Sequence, residues 1–380
     1  PCPLMASGSL TERESMEKRS TTMCSLWEKT AAPGKYYRPL KGEIRTRVCI
    51  IGGGVTGLST ALHLAEKGVE STVLEAMQPG WGASGRSGGQ IIAGLKYDPD
   101  ELVCRYGEEG AEAMIQLSGQ APALTYDIVD RYKIDCGLIQ AGWIQAATSS
   151  LAVDRLHKRA ENWRSYGAPV EALDKVAVGK YLGSDAYYGG LLDKRGGTVQ
   201  PLAYTRGLAR AAESLGSDIY GDTQALKLTA DPPGWVIQTG GGTVKADFVV
   251  IATNGYTDDL IPGLAQSIVP IVSMQCATDI LPERLVNDII PFNQSFSESR
   301  RLTRYFRKDD QNRIVIGGRG ARSERIKSSD IAHLHEILTL IFPQLKAFPF
   351  TYAWAGLVAM TADYLPHVHM PAPNIIAALG

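Results

Sequence analysis

Residues 47–76 read RVCIIGGGVTGLSTALHLAEKGVESTVLEA, and this stretch decides the fold. Residues 48–51 form an apolar, partly β-branched run that is typical of a buried strand. After the glycines, apolar residues recur at the spacing of one helix face, at Leu58, Ala61, Leu62 and Ala65. Lys67 and Gly68 predict the end of that helix, and residues 71–75 predict a second strand. A strand, a helix and a strand in this order predict two parallel strands joined by a right-handed crossover.

A GxGxxG motif, made of Gly52, Gly54 and Gly57, lies between the first strand and the helix. In dinucleotide sites these glycines permit a tight turn, the approach of a pyrophosphate and close packing of helix on strand. The helix N-terminus adds free N–H groups and a positive dipole end. Glu75 follows 18 residues after Gly57, where a carboxylate can accept hydrogen bonds from a ribose. The alternative is a glycine turn in an ordinary α/β domain. A dinucleotide site is favoured because the strand, the helix and the acidic residue are all present. The motif alone does not distinguish NAD from FAD.

A second glycine stretch, GWGASGRSGGQ at residues 80–90, holds five glycines in eleven residues. Such a composition is typical either of a flexible tether or of a backbone that lies very close to another molecule. The stretch begins a few residues after Glu75, and a tether there would interrupt a nucleotide domain at its binding edge. We therefore expect its backbone to lie against an extended cofactor, with the linker as the alternative.

The rest of the chain alternates helical and strand patterns. Residues 99–133, 151–166 and 329–341 are predicted to be helical, and a strand end, a Pro turn and a helix are predicted at residues 196–216. Strands are predicted as a pair at 136–147, as three at 223–256 and with loops at 267–320. The last of the three, residues 248–253, is almost wholly apolar, which predicts burial on both faces.

Composition limits the possible functions. The chain has 380 residues, with 39 basic and 40 acidic side chains, and this balance gives no electrostatic case for nucleic acid or an anionic membrane. It has no apolar run near the roughly 18 residues of a membrane span. Its six cysteines form no CxxC pair and favour a reducing compartment, so we expect a cytoplasmic protein. Residues 1–42 are predicted to be a disordered or extended leader, and the first residue, Pro1, indicates a fragment at this end.

Metal binding is not predicted. His333 and His335, like His367 and His369, form HxH pairs, a spacing that can bind metal, but we identify no further set of Cys or carboxylate ligands for them.

Further motifs give the chain a family resemblance. They are YGGLLDKRGGTVQPL at residues 188–202, ADFVVIATNGY at 246–256, RIVIGG at 313–318, FPQL at 342–345 and YAWAGLVAMTADYLP at 352–366. Together with the two glycine stretches, they resemble the FAD-dependent amine and amino-acid oxidases of the D-amino-acid oxidase superfamily. The resemblance runs from about Trp27 to Gly380.

The resemblance implies an α/β fold, α+β overall. A Rossmann-type FAD-binding domain with a parallel central sheet is expected beside a second domain built on an antiparallel sheet with helices. We expect the FAD-binding domain at residues 43–98, 196–265 and 352–380, and the substrate domain at residues 99–195 and 266–351. The family continues beyond the position of Gly380 with a loop and a helix, so the C-terminus is expected to be truncated.

The resemblance also assigns residues to the cofactor. Those expected to contact FAD are Gly52, Gly54, Val55, Thr56, Gly57, Glu75, Ala76, Ser84, Gly85, Arg86, Gly88, Gly89, Gln90, Ala225, Ala252, Thr253 and Asn254. The glycines of the second stretch are expected to bring main-chain N–H groups to the flavin. Substrate-side candidates are Tyr256, Tyr305, Arg307 and Trp354; each has the alternative of a surface Arg or a core aromatic residue. Ala353 stands where the family often has an Arg before the Trp, which puts an Arg contact there in doubt.

The implied reaction is oxidative deamination of an amine, with a gamma-glutamylated polyamine or a similar amine as the expected substrate. A neutral amine loses hydride to flavin N5, the imine is hydrolysed, and O₂ is reduced to hydrogen peroxide. Two alternatives stay open, a flavin dehydrogenase with another electron acceptor and a non-catalytic FAD-binding remnant. The oligomeric state is not predicted.

Overall fold

The computed structural model describes residues 25–319, 324 and 326–380. Within them the helices are α1 (Leu26–Thr30), α2 (Val55–Glu66), α3 (Pro99–Arg131), α4 (Ser150–Ser165), α5 (Lys175–Leu182), α6 (Pro201–Ser214), α7 (Glu283–Val286) and α8 (Ser328–Ile341). The strands are β1 (Gly42–Ile51), β2 (Ser71–Leu74), β3 (Gln90–Ile91), β4 (Trp143–Ala146), β5 (Val170–Leu173), β6 (Gly190–Asp193), β7 (Gly197–Thr198), β8 (Asp218–Tyr220), β9 (Ala225–Asp231), β10 (Gly234–Thr239), β11 (Gly242–Ile251), β12 (Val269–Thr278), β13 (Ser295–Glu298), β14 (Tyr305–Lys308), β15 (Ile314–Arg319), β16 (Phe350–Met360), β17 (His367–Ala372) and β18 (Ile375–Leu379).

The first sheet contains the strand–helix–strand unit that the sequence predicts. Its order is β17-β18-β11-β1-β2-β8, and β10 and β9 extend it from β11 as an antiparallel hairpin. β1 pairs in parallel with both β2 and β11, so the carboxyl ends of these three strands meet at one edge. Leu58 and Leu62 of α2 and Leu208 of α6 are fully buried in the cluster that also holds Ile50 of β1. The prediction of a Rossmann-type domain with a parallel central sheet is confirmed.

The second sheet has the order β16-β12-β15-β14-β13-β4-β6-β5. Its pairs are antiparallel, apart from β13 and β4, which run in parallel. One face packs on α8, where Phe306, Ile316, Leu338 and Phe342 are buried together. The predicted antiparallel sheet with helices is therefore also present.

The predicted leader is wrong for part of its length. Residues 1–24 lie outside the described residues, but α1 follows them, and Leu26 and Trp27 are buried. The Ser25 hydroxyl accepts a hydrogen bond from the Trp27 N–H and so caps α1. Trp27 packs edge-on against Trp354, with ring centroids 5.4 Å apart. An apolar pair inside a polar segment is too short to give a periodic signal, which is why the sequence pattern missed this helix.

Two predicted strand features also differ. Residues 136–147 hold one strand, β4, and an isolated bridge between Ile139 and Thr198, instead of a strand pair. Phe248 is 39% exposed, although we predicted burial on both faces. It lies on the same face as Val250 but nearer to the start of β11, outside the buried cluster that contains Val250.

Sheet membership bears on the predicted domain boundaries. β16 pairs with β12 in the second sheet, whereas our sequence-based boundary placed residues 352–380 in the FAD-binding domain. β17 and β18 do join the first sheet. The division into two domains stays a prediction, and the pairing of β16 favours a later boundary, between β16 and β17.

Among the helices of the described residues, none is both long and apolar enough to cross a membrane.

Candidate cofactor site

A cavity of about 410 Å³ lies at the edge of the first sheet where β1, β2 and β11 end. Ile51, Leu74 and Ala252, at or next to the ends of these strands, line it. Ligands of open α/β sheets bind at this edge, and the volume falls in the range of roughly 300–1,000 Å³ for small-molecule sites. The expected cofactor and substrate residues that line the cavity are Gly52, Gly54, Thr56, Glu75, Ala76, Ser84, Ala225, Ala252, Thr253, Asn254 and Tyr256.

The turn from β1 into α2 depends on two glycines. Gly52 has a φ of +115°, which disfavours any side chain, and a Cβ on it would lie 2.6 Å from the carbonyl oxygen of Ala252. A Cβ on Gly57 would lie 2.0 Å from the carbonyl oxygen of Gly52. Because neither glycine has a side chain, these close approaches are possible, and α2 begins directly beside the end of β1. Its N-terminus therefore lies at the cavity, and Gly54, its N-cap residue, makes no side-chain cap.

Glu75 holds the turn from the other side. Its carboxylate accepts hydrogen bonds from the Gly53 N–H at 2.6 Å and the Met77 N–H at 3.0 Å. Burial raises the pKa of this carboxyl and nearby Asp222 raises it further, while the two main-chain hydrogen bonds act in the opposite direction. Because Glu75 also lines the cavity, a carboxylate of fixed orientation is available to a ligand there.

Ser84 joins the two glycine stretches. Its hydroxyl oxygen accepts a hydrogen bond from the Val55 N–H at 2.9 Å, in the first turn of α2. A Cβ on Gly54 would lie 2.8 Å from that same oxygen. Absence of a side chain at Gly54 therefore allows Ser84 to reach the helix N-terminus, and both residues line the cavity.

These features match the chemistry of a dinucleotide. The N-cap residue Gly54 has no side chain, so the first turn of α2, beyond the Val55 N–H that Ser84 accepts, offers N–H groups and a positive dipole end to a pyrophosphate. Glu75 offers acceptor oxygens to ribose hydroxyls, and Ala225 and Ala252 offer small apolar surface at the same cavity. The residues present therefore fit the ADP portion of FAD.

The second part of the second glycine stretch makes its close contacts with protein atoms. A Cβ on Gly88 would lie 2.9 Å from the Tyr305 ring. Gly89 has a φ of +67°, and a Cβ there would lie 2.1 Å from the carbonyl oxygen of Val199. The Gln90 amide donates to the carbonyl oxygen of Phe296 at 3.0 Å. Tyr305 and Phe296 of the second sheet, together with Val199, therefore hold this part of the stretch in place. Such contacts support the interpretation that the backbone is closely packed and argue against a flexible tether.

Four side chains form a polar and aromatic cluster at one end of the cavity. Tyr256 donates to Glu324 at 3.1 Å, and its ring lies 5.7 Å from that of Trp81. The Arg86 guanidinium stacks over Trp81 at 4.4 Å and lies 3.5 Å from Glu324. Burial, and then the charge of Glu324, raises the pKa of Tyr256 to about 12. Tyr256 therefore stays protonated at neutral pH and can donate a hydrogen bond.

The other substrate-side candidates lie on the second sheet. Tyr305 shares a hydrogen bond with the Ser273 hydroxyl at 2.7 Å, and burial raises its pKa. Trp354 and Arg307 are buried and donate to main-chain carbonyl oxygens, Trp354 to Arg86 at 2.8 Å and Arg307 to Gly88 at 2.7 Å. Trp354 therefore matches the alternative of a core aromatic residue, whereas Arg307 is buried and does not match the alternative of a surface Arg.

Several residues at the site are missing from the sequence-based assignment. Those lining the cavity include Met77, Trp81, Gln224, Thr257, Asp258, Leu260 and Leu357. Trp81 lies inside the second glycine stretch. A large aromatic residue among glycines could have indicated a ligand contact, but we predicted no role for it. Glu324 is 238 residues from Arg86 and belongs to no motif, so only the fold brings the two together.

Comparisons with known proteins identify the family of this chain. The sequence profile of the family described as "DAO: FAD dependent oxidoreductase" matches residues 47–380. Gamma-glutamylputrescine oxidoreductase of Escherichia coli (strain K12) is 33% identical over 92% of this chain and 83% of its own length. Glycine oxidase of Geobacillus kaustophilus (strain HTA426) is 27% identical over 88% of each chain. The crystal structure of glycine oxidase from Geobacillus kaustophilus has a TM-score of 0.74, covering 88% of this chain and 89% of that one, at 24% identity.

Proposed function

The chain belongs to the DAO family of FAD-dependent oxidoreductases, and on that premise we propose that it binds FAD and catalyses the oxidative deamination of an amine. The observation that carries the proposal is the meeting of Glu75, Ser84 and the α2 N-terminus at one cavity. When bound, FAD accepts the hydride that the amine carbon loses and passes the electrons to O₂.

The first sheet would hold the dinucleotide. The N–H groups of the first turn of α2 would stabilise the pyrophosphate charge, and Glu75 would accept hydrogen bonds from the adenosine ribose. Ser84 would keep the first and second glycine stretches together around the cofactor, since it already bonds Val55.

The second sheet would face the reacting end of the cofactor. Tyr305 packs on Gly88, and its hydroxyl shares a hydrogen bond with Ser273. Because burial raises the pKa of both Tyr305 and Tyr256, each would act as a hydrogen-bond donor and not as a proton acceptor at neutral pH. The amine must therefore reach the site already neutral, or lose its proton to another group.

The substrate that we propose is gamma-glutamylputrescine or a similar amine, supported by the 33% identity to the Escherichia coli enzyme of that name. We propose the cytoplasm as the compartment, since Cys49, Cys104, Cys136 and Cys276, the cysteines among the described residues, are free thiols.

The test is a panel of gamma-glutamylputrescine, putrescine, glycine, sarcosine and D-amino acids, read by peroxide release and by anaerobic flavin bleaching. We expect gamma-glutamylputrescine to give the highest kcat/KM, with a rate that rises with pH as the amine loses its proton. Bleaching without peroxide would indicate another electron acceptor. A flavin reduced by a hydroxy acid and by none of the amines would contradict the proposal.

A further inference from the structure

Three consecutive main-chain carbonyl oxygens of the second glycine stretch are each held by side chains from distant elements. They belong to Arg86, Ser87 and Gly88. The donors are Trp354 at 2.8 Å and Gln275 at 2.5 Å to Arg86, Trp27 at 2.9 Å to Ser87, and Arg307 at 2.7 Å to Gly88. These donors come from α1 and from strands β12, β14 and β16, so four separate elements fix the direction of one short backbone segment.

Arg307 is the charged member of this set. It is 3% exposed, and a second guanidinium N–H donates to the carbonyl oxygen of Val199 at 2.8 Å. The guanidinium lies 4.9 Å from the centre of the Trp27 ring. It therefore ties Gly88 to Val199 with two hydrogen bonds in the fixed fork geometry of an Arg.

The charge of Arg307 has no close counter-ion in the described part of the chain, where no carboxylate lies within 4.0 Å of it. The nearby carboxylate of Asp309 bonds Arg313 instead, at 3.1 Å. Burial of the guanidinium lowers the pKa of Arg307 to about 10, so it stays charged at neutral pH. The charges of Asp309 and Asp310 act on Arg307 only from beyond salt-bridge distance. Burying a charge without a salt-bridge partner is costly, whereas the neutral donors Trp27 and Trp354 hold the neighbouring carbonyl oxygens without that cost. The retained charge therefore points to a use beyond packing.

We propose that Arg307 is a positioning residue for the cofactor. It fixes the carbonyl oxygen of Gly88, next to those of Arg86 and Ser87 that the other three donors hold, and places a buried positive charge behind this segment. This inference rests on the proposed function, in which the segment borders FAD. Carbonyl oxygens directed at the cofactor would repel the negative charge that the cofactor gains on reduction. Hydrogen bonds from Trp27, Arg307 and Trp354 direct these oxygens elsewhere and so remove that repulsion. The Arg307 charge further favours the reduced form, because the surroundings are buried and screen it weakly.

The experiment compares Arg307→Gln, Arg307→Lys and Trp27→Phe with the wild-type chain. Arg301→Gln is the matched control, since it removes an Arg charge at an exposed position between β13 and β14. Three quantities are measured: FAD affinity by fluorescence titration, the absorption spectrum of the bound flavin and its reduction potential.

We expect Arg307→Gln to weaken FAD binding by about ten- to a hundredfold and to lower the reduction potential. Arg307→Lys keeps the charge and loses the fork, so it should keep most of the potential and bind FAD more weakly. Trp27→Phe keeps the aromatic packing and loses the bond to Ser87, so we expect severalfold weaker binding with a changed flavin spectrum. Arg301→Gln should match the wild type in all three.

The proposal is overturned if Arg307→Gln folds and matches the wild type in affinity, spectrum and potential. If that variant does not fold, Trp27→Phe decides, and an unchanged affinity and spectrum in it overturns the proposal. A wild-type chain that binds no FAD also overturns it. A chain that binds FAD but oxidises no amine defeats only the proposed substrate chemistry and leaves these binding measurements valid.

Discussion

The hydroxyl oxygen of Ser84 lies 2.9 Å from the main-chain nitrogen of Val55, whose N–H it accepts. Ser84 belongs to the second glycine stretch and Val55 to the first turn of α2, so one hydrogen bond joins the two segments around the cavity. Ser84 thus supplies to α2 the acceptor that the N-cap residue, Gly54, lacks.

Ser84→Ala should therefore affect both stability and cofactor binding. Loss of an acceptor at a helix N-terminus costs about 0.5–2 kcal/mol in unfolding free energy, and FAD retention should fall severalfold as the second glycine stretch loosens. Denaturant unfolding and flavin content per protein measure the two effects. Ser150→Ala, at an exposed position at the start of α4, is the control. It should change the unfolding free energy by less than about 0.5 kcal/mol and leave the flavin content unchanged. Equal flavin content in both variants would contradict the role of Ser84.

Gly57→Ala tests the close approach of α2 to β1. The added methyl group would meet the Gly52 carbonyl oxygen at 2.0 Å, and backbone atoms on both sides cannot move away easily. We expect a loss of about 1–3 kcal/mol or more in unfolding free energy, together with loss of FAD binding. Gly110→Ala is the matched control, because Gly110 is an exposed glycine inside α3 with room for a methyl group. That change should stabilise the chain by about 0.5–1 kcal/mol, and a similar loss in both variants would refute the argument.

The sequence predicts the part of the site that is local in the chain. Gly52, Gly54, Gly57 and Glu75 lie within one strand–helix–strand unit, whose periodicity sets their relative positions. The second sheet gives no such signal, because Gln275 reaches Arg86 across 189 positions of sequence. Side chains that meet in this way, often on main-chain oxygens, are brought together by tertiary packing alone.

Arg307 illustrates this limit. The family resemblance made Arg307 a substrate-side candidate, whereas the structure gives its hydrogen bonds to Gly88 and Val199. Every residue has a main-chain carbonyl oxygen, so residue types do not show which of these oxygens accepts a hydrogen bond. The same reason explains why Trp27 was left in a predicted leader, although its indole N–H bonds Ser87.

The proposed ribose contact of Glu75 predicts a pH dependence. The ionised carboxylate accepts hydroxyl hydrogen bonds better than the acid, so FAD affinity should fall as pH falls through the pKa of Glu75. The ordinary pKa of a Glu side chain is about 4.3. Because burial raises the pKa of Glu75, the fall in affinity should begin at a higher pH than for an ordinary Glu. Glu75→Gln should bind FAD about ten- to a hundredfold more weakly at pH 8 and lose most of this pH dependence. Fluorescence titration from pH 8 to pH 5 measures both, and parallel pH profiles in the two proteins would exclude the assignment.

The cysteines give a test of the core that needs no cofactor. Cys49, Cys136 and Cys276 are buried, and burial raises the pKa of each thiol, while Cys104 of α3 is exposed. We expect a thiol reagent at neutral pH to label Cys104 in the folded chain well before these three, and all four after unfolding. Peptide mass spectrometry assigns the labelled positions, and Cys104→Ser is the control. Early labelling of Cys276 would show that the second sheet is not packed as described.

Tyr256 links the cavity to the second sheet through its hydroxyl group. That group donates to Glu324 at 3.1 Å and accepts from the Leu357 N–H of β16 at 3.3 Å. Tyr256→Phe keeps the ring against Trp81 but leaves the Leu357 N–H without this acceptor, so unfolding free energy should fall by about 1–3 kcal/mol. Tyr166→Phe, at a residue that is 47% exposed, is the control and should have little effect. If Tyr256 also contacts the amine, kcat/KM of the Phe variant should fall further than its FAD occupancy does. An unchanged unfolding free energy would contradict a contribution of these two hydrogen bonds to the fold.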